Sequence, residues 1–79
     1  MVIKLFGITK DIVGGDTVPV PENIQVHTVK ELKDWLYRQY PALGKLSALA
    51  IAVNQTYALD NTSLDSNTEI ALIPPVSGG

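Results

Sequence analysis

The sequence predicts an α+β fold in which a mixed β-sheet of four to five strands packs on one main helix. The chain has 79 residues, of which 46% are hydrophobic and 18% charged, so it forms one domain at most and is too apolar for a disordered chain. Apolar, β-prone segments lie at Met1–Ile8 and Glu69–Ile73, and an amphipathic helical segment lies between them at Thr28–Tyr40. This order of elements is typical of a sheet that holds a single helix.

The first third of the chain predicts two strands separated by a helical turn. Met1–Ile8 is rich in Val, Ile, Leu and Phe and carries one charge, which indicates a strand. Thr9–Gly15 is predicted to form a single helical turn that the glycine pair at its end stops. Val18–Ile24 contains two prolines, which cannot donate backbone hydrogen bonds, so this segment is predicted to be a short edge strand.

The main helix is predicted over Thr28–Tyr40. Its first residue, a threonine, and Glu31 have the spacing of a capping box, and the proline that follows the segment ends the helix. Asp34 and Arg38 are spaced for an i,i+4 ion pair. The apolar side chains recur at helical intervals and form one stripe, which consists of Val29, Leu32, Leu36 and Tyr40.

The second half of the chain predicts three more strands. Ala48–Val53 is expected to be a buried strand, Asn54-Gln55 a hairpin turn, and Thr56–Leu59 the returning strand. A polar loop with one buried anchor, Leu64, then leads to the last strand. The first and last strands are the most apolar, so we expect them to be central neighbours in the sheet. The predicted architecture is a β-grasp.

Composition and charge exclude several classes of function. Six basic and eight acidic residues give a formal net charge of −2, whereas a nucleic-acid-binding domain normally has a basic face. The sequence has no cysteine and a single histidine, His27, so neither a thiolate nor a multi-histidine metal site is expected. No serine or carboxylate has the sequence context of a catalytic group, so the chain is not expected to be catalytic on its own.

The sequence shows no targeting signal. Its first residues lack a basic segment followed by a long apolar stretch. The longest apolar run, Ala48–Val53, is far shorter than the roughly 20 residues that a membrane-spanning helix needs. We therefore expect no membrane association and a cytoplasmic location.

The C-terminal end is the exception to this lack of functional signals. Pro74-Pro75 fixes two φ angles after the last strand, Val76 offers an apolar anchor, and Ser77-Gly78-Gly79 follows. Because glycine allows close backbone approach, this end suits insertion into the narrow active site of another protein. The expected organisation is a single domain over 1–76 and a flexible, reactive tail over 77–79.

Three segments carry a resemblance to a known family. They are the run Asn67–Gly79, which ends in Pro-Pro-Val-Ser-Gly-Gly, the hairpin Ala52-Val53-Asn54-Gln55, and the short helix Lys10-Asp11-Ile12-Val13-Gly14. All three resemble the small subunit of molybdopterin synthase, a ubiquitin-like sulfur-carrier family of molybdenum-cofactor synthesis, and the resemblance covers essentially the whole chain. Relatives often have Asp-Gly-Asp where this chain has Asp65-Ser66-Asn67, a change in turn chemistry that leaves the reactive end intact.

This resemblance implies a sulfur carrier in molybdenum cofactor (molybdopterin) biosynthesis. An activating enzyme would use ATP to adenylate the Gly79 carboxylate, and a sulfur donor protein would convert it to a thiocarboxylate. Inside the large synthase subunit, that sulfur would attack a cyclic pyranopterin monophosphate precursor. The residues implied in inserting the tail are Pro74, Pro75, Val76, Ser77 and Gly78. The family also implies a heterotetramer with the large subunit, and neither a cofactor nor a metal bound by this chain.

Two other interpretations of the Gly-Gly end remain open. One is a different carrier or modifier of the same fold, such as a thiamin-type sulfur carrier or a ubiquitin-like protein modifier, because these proteins share a terminal Gly-Gly. The other is a non-catalytic interaction domain whose tail is inert.

A partner-binding face is predicted from side-chain parity in the first and last strands. Lys4 alternates in phase with Phe6, and Glu69 alternates in phase with Ile73. Because a charge marks the solvated face, Phe6 and Ile73 are expected on the sheet face opposite the helix. The short first helix or a loop could instead cover them. If they are uncovered, they form an apolar patch beside the tail, which is where a partner is expected to bind.

Overall fold

The computed structural model describes residues 1–46 and 49–74. Within these ranges the elements are, in chain order, β1 (Val2–Leu5), α1 (Ile8–Val13), β2 (Thr17–Pro19), α2 (Val29–Gln39), a 3-10 helix (Pro41–Lys45), β3 (Ala50–Val53), β4 (Thr56–Tyr57) and β5 (Ile70–Ile73). The five strands belong to one mixed sheet. No helix of the described ranges is both long enough and apolar enough to cross a membrane.

β1 and β5 are neighbours in the middle of the sheet, as predicted from their apolar sequences. The strand order is β2-β1-β5-β3-β4. β1 and β5 run parallel, with Ile3 opposite Ile70 and Leu5 opposite Leu72, and β2 and β3 flank them in antiparallel pairs. Parallel strands need a long connection, and the main helix α2 lies within it. The arrangement is the predicted α+β, β-grasp architecture.

The hydrophobic core lies between the sheet and α2. On the helix side of the two central strands the buried residues are Ile3, Leu5, Ile70 and Leu72. From α2 the buried residues are Val29, Leu32, Trp35 and Leu36. Tyr40, the last member of the predicted stripe, is only half-buried. Each fully buried side chain of this size stabilises the fold by roughly 1.5–3 kcal/mol, so the packing strongly favours presenting the opposite face of the sheet to solvent.

The ends of α2 are those that the sequence predicts. Thr28 is the N-cap, and its Oγ1 accepts a hydrogen bond from the backbone N–H of Glu31 at 3.3 Å. The Glu31 carboxylate accepts from the backbone N–H of His27 at 3.0 Å, so the reciprocal bond of the capping box closes one residue before the cap. At the other end Tyr40 is the C-cap, and the 3-10 helix begins at Pro41.

β1 ends at Leu5, three residues before the predicted end of the strand at Ile8. Gly7 has a φ of +58° and a ψ of −136°, a combination that glycine adopts without strain, and α1 begins directly after it. The fully buried Thr9 hydroxyl accepts a hydrogen bond from the Phe6 backbone N–H at 3.0 Å and donates one to the Phe6 carbonyl. These bonds use the Phe6 backbone groups that a longer strand would offer to its neighbours.

β2, β3 and β4 are also shorter than predicted. β2 lies at the sheet edge as expected, but the chain turns soon after it, with the Ile24 N–H donating to the Pro21 carbonyl at 3.0 Å. β3 begins at Ala50, and Ala48, its predicted first residue, lies outside the described residues. β4 has two residues; the Ala58 N–H still donates to the Ile51 carbonyl at 2.9 Å, and the chain then turns, with the Leu59 N–H donating to the side chain of Thr62 at 3.1 Å.

Predictions about single side chains and one turn had mixed outcomes. The hairpin turn at Asn54-Gln55 is confirmed, and both residues have positive φ values, of +51° and +70°. The loop anchor Leu64 is buried, as predicted. The ion pair predicted for the α2 surface is wrong in its partner, since Asp34 pairs with Lys30 at 3.6 Å and not with Arg38.

Candidate functional site

The sheet face directed away from α2, called the outer face below, carries a shallow depression of about 390 Å³. Its lining consists of Lys4, Phe6, Ala52, Gln55, Tyr57, Glu69, Ala71 and Ile73. The structure therefore places Phe6 and Ile73 together on the face where side-chain parity predicts them. Their part in binding a partner stays a prediction.

Cross-strand register explains why the depression forms at this place. Ala71 of β5 lies opposite Lys4 of β1 on one side and opposite Ala52 of β3 on the other, and Ala52 in turn lies opposite Tyr57 of β4. Residues that face each other in register project from the same face of a sheet. Two methyl groups thus form the floor of the depression, between a lysine and a tyrosine.

Phe6 and Ile73 form an apolar wall at the end of the sheet where the chain leaves β5. They follow Leu5 and Leu72, which are opposite each other in register, so they lie at the same level of the sheet. Phe6 is 46% exposed and Ile73 is half-buried, so neither α1 nor a loop of the described chain covers this wall completely. An exposed apolar patch of this kind is typical of an interaction site.

Lys4 and Glu69 are the charged residues of the lining. The Lys4 Nζ lies 3.4 Å from the Glu69 Oε1, and the two side chains are 59% and 48% exposed. Ion pairs at this exposure contribute only about 0.2–1 kcal/mol to stability, because water and salt screen them. The pair gives the outer face a positive and a negative pole without giving it a net charge.

Asn54 holds the backbone of Glu69 in place. Its N–H donates to the Glu69 carbonyl at 2.8 Å, and its side-chain Oδ1 accepts from the Glu69 N–H at 2.9 Å. Asparagine also tolerates the positive φ of this turn better than most residues do. One residue therefore shapes the β3–β4 turn and fixes the start of β5.

The tail predicted to react leaves the described part of the structure at Pro74. Pro74 follows β5 directly, beside Phe6 and Ile73, and it contacts the turn at Gly7. The other residues predicted to act in the tail are Pro75, Val76, Ser77, Gly78 and Gly79, and they lie outside the described residues. The boundary predicted between a domain over 1–76 and a tail over 77–79 lies there too.

A second depression, of about 500 Å³, lies at the opposite end of the sheet. Its walls include Met1, Val20, Val26, His27 and Leu64. Because β1 and β5 are parallel, Met1 before β1 and Pro74 after β5 lie at opposite ends, so this depression is remote from the tail. Across residues 1–46 and 49–74, no three histidine, aspartate or glutamate side chains lie together as metal ligands would. The outer face beside Pro74 is therefore the candidate site.

Sequence reasoning missed Tyr57, Ala52 and Gln55 as parts of this site. The sequence predicts Tyr57 in the returning strand but assigns it no face. The signal that could have placed Tyr57 is the length of the hairpin turn, because a two-residue turn at Asn54-Gln55 sets Tyr57 opposite Ala52. Ala52 in turn lies opposite Ala71 in the pairing of β3 with β5. Tyr57 thereby shares the face that the sequence already predicts for Ile73.

The sequence matches the model of the ThiS family over residues 3–79. It is 37% identical, over 83 aligned positions, to a molybdopterin synthase sulfur carrier subunit from Dictyostelium discoideum, with 98% of this chain and 93% of that protein covered. SAMP1 from Haloferax volcanii has a TM-score of 0.80 at 28% identity, over 99% of this chain and 97% of that one. A chain of the complex of subunits 1 and 2 of molybdopterin-converting factor from Helicobacter pylori has a TM-score of 0.67 at 29% identity, over 99% and 96%. The chain therefore belongs to the ThiS family and is related over its whole length to molybdopterin synthase sulfur carrier subunits, the relationship that its sequence motifs imply.

Proposed function

We propose that this chain carries sulfur for molybdopterin synthesis, and that the carboxylate of Gly79 is the group that becomes a thiocarboxylate. The observation that carries the proposal is the position of Pro74, the last described residue before the tail, beside the apolar wall of the exposed Phe6 and the half-buried Ile73. The relatives named as sulfur carrier subunits support the chemistry. A carrier needs no catalytic group of its own, because its partners supply the acid, base and phosphate-binding groups.

The proposed cycle has three steps. An activating enzyme transfers AMP from ATP to the Gly79 carboxylate and releases pyrophosphate, which turns a poor electrophile into a mixed anhydride. A sulfur donor protein then displaces AMP and leaves the thiocarboxylate. Its sulfur anion is a good nucleophile near neutral pH, as thiolates are, and attacks the cyclic pyranopterin monophosphate precursor. Two such transfers supply the two sulfur atoms of the dithiolene that holds the metal. ATP is a substrate of the activating enzyme and not a cofactor of this chain.

We infer that the outer face binds the large subunit of molybdopterin synthase. The Helicobacter pylori relative was solved as a complex of subunits 1 and 2, which supports a partner of this kind. Phe6 and Ile73 would supply apolar contacts, and the tail would enter the partner at the rim of that contact. The proposed assembly is a heterotetramer with two copies of each subunit. The residues that would pass into the large subunit are Pro75, Val76, Ser77, Gly78 and Gly79.

The proposal is tested with purified components and intact mass spectrometry. The chain is incubated with the activating enzyme, the sulfur donor and ATP, and the large subunit and the pterin precursor are added afterwards. We expect an ATP-dependent mass gain equal to the replacement of one oxygen by sulfur, followed by conversion of the precursor. A thiocarboxylated chain that converts no precursor would contradict the proposal. A thiamin-type carrier would give that result, because it would gain the same mass but convert no pterin precursor.

Protein modification is a second candidate function. The similarity to SAMP1, the small archaeal modifier protein 1 of Haloferax volcanii, has a higher TM-score than the similarity to the Helicobacter pylori chain, and it favours this candidate. A modifier would pass its activated Gly79 carboxyl to a lysine amine of a target, with release of AMP and formation of an isopeptide bond. Mass spectrometry of digests of whole cells tests this function. Lysine residues that carry the C-terminal remnant of this chain would support it. If such adducts form in cells and the thiocarboxylated chain also converts the pterin precursor with the large subunit, the chain has both functions.

A further inference from the structure

We propose that the Lys4–Glu69 pair selects the large subunit that this chain serves. The selected partner presents an acidic group to Lys4 and a hydrogen-bond donor or basic group to Glu69. This inference rests on the proposed function, since it concerns the same outer face. It assigns a specificity role to a pair that would otherwise count as an ordinary surface ion pair.

The pair lies on the outer face, beside the apolar wall. Both residues line the same depression as Phe6 and Ile73, so a partner that covers the apolar wall also covers the charges. Lys4 lies level with Ala71, whereas Glu69 directly precedes β5, two residues before Ala71. The positive pole is therefore nearer the tail and the negative pole farther from it. A partner can match this polarity in one orientation only.

The pair leaves part of its hydrogen-bonding capacity unused. An ammonium group has three donors, and the described residues give Lys4 one partner, the Oε1 of Glu69 at 3.4 Å. The same part of the chain gives the Glu69 Oε2 no partner. Water satisfies these groups on the free protein, because both side chains are about half exposed. A partner that removes this water without replacing its bonds leaves charged groups unsatisfied, which opposes binding.

The backbone at Lys4 and at Glu69 is held in place by hydrogen bonds. Lys4 lies inside β1, which is paired on both sides. Glu69 is held by both hydrogen bonds of Asn54 described above. Like charges brought together across an interface strongly oppose the wrong partner, and a fixed backbone limits how far either charge can move away.

The test is a double charge exchange, Lys4→Glu with Glu69→Lys, measured by calorimetric titration with the cognate large subunit. The exchange keeps an intramolecular ion pair and reverses its polarity, so thermal stability is expected to stay unchanged. We expect the Kd to rise by at least about 10-fold. The matched control is Lys30→Asp with Asp34→Lys on α2, a pair of similar exposure, 67% and 55%, that does not line the depression. We expect this control to bind as the wild-type chain does.

A second double variant, Lys4→Met with Glu69→Gln, removes both charges. It tests the inference independently, in case the exchanged variant does not fold. We expect its affinity to lie between those of the wild-type chain and the exchanged chain, and to depend less on salt than that of the wild type. The inference is overturned if the wild-type chain binds and either variant on the outer face binds equally well. Failure of the wild-type chain itself to bind the large subunit would overturn the proposed function, and the inference with it.

Discussion

Gly7 and Pro74 approach each other so closely that a Cβ atom placed on Gly7 would lie 2.9 Å from the Cγ of Pro74. Gly7 belongs to the turn between β1 and α1, and Pro74 is the residue from which the tail departs. Thr9 holds the same turn through its two hydrogen bonds with the Phe6 backbone. The turn that positions Phe6 therefore also packs against Pro74, the residue that precedes the tail.

Substituting Gly7→Ala is expected to disturb this support. The new Cβ would meet Pro74, and the φ of +58° at this residue is one that side-chain-bearing residues rarely adopt. We expect a loss of about 1–3 kcal/mol in the free energy of unfolding, measured by urea denaturation, and slower sulfur transfer from the displaced tail. Gly15→Ala is the control, because a Cβ at Gly15 meets no atom within 4 Å and its φ is not positive. Equal stability of the two variants would contradict the role of Gly7.

The β3–β4 turn allows a second comparison between two adjacent residues of positive φ. Asn54→Gly keeps the turn but removes the Oδ1 that accepts from Glu69, so we expect it to cost about 0.5–1.5 kcal/mol. Gln55→Gly creates an Asn-Gly turn, a favoured sequence for two residues of positive φ, and is expected to leave stability unchanged or to raise it slightly. Thermal denaturation of both variants measures the difference. A larger loss for Gln55→Gly than for Asn54→Gly would contradict the link between Asn54 and Glu69.

The sequence was sufficient to predict the architecture because its strongest signals are local. Apolar runs and the stripe of α2 determine which residues enter the core, and Thr28 and Pro41 mark the helix ends. The end of β1 could not be predicted in the same way. It depends on a bond from Thr9 back to Phe6 and on the contact of Gly7 with Pro74, which joins residues 67 positions apart.

The candidate site was predictable in part for a similar reason. Strand parity was enough to place Phe6 and Ile73 on one face, because Phe6 directly follows β1, Ile73 ends β5, and a charged residue in phase with each marks the solvated side. Tyr57 was not predictable from parity within its own strand, because β4 has two residues and both are exposed. Only the register across the hairpin brings Tyr57 to the depression. The tail residues beyond Pro74 were identified by their glycines and prolines, and their role remains a proposal.

Phe6→Asp and Ile73→Asp are expected to weaken binding to the large subunit by more than about 2 kcal/mol each, the usual threshold for a central interface residue. Both side chains lie outside the core, so the variants should keep their fold in circular dichroism. Leu59→Asp is the matched control, because Leu59 is 75% exposed and does not line the depression. Calorimetry measures the three affinities. If Leu59→Asp weakened binding as much as Phe6→Asp, the outer face would not be the binding surface.

The last prediction separates the fold from the proposed chemistry. Deleting Gly79, or adding one residue after it, is expected to leave thermal stability unchanged, because glycine has no side chain to bury. It should nevertheless abolish sulfur transfer, since the reactive carbon would move by about 3.5 Å and a displacement of about 1 Å can already cost about 100-fold in rate. The assay uses chemically thiocarboxylated variants, purified large subunit and the pterin precursor, which bypasses activation. Affinity for the large subunit is the internal control, because the outer face is unaltered. Near-normal conversion by the variant that lacks Gly79 would refute the carrier function, whatever the similarity of the fold.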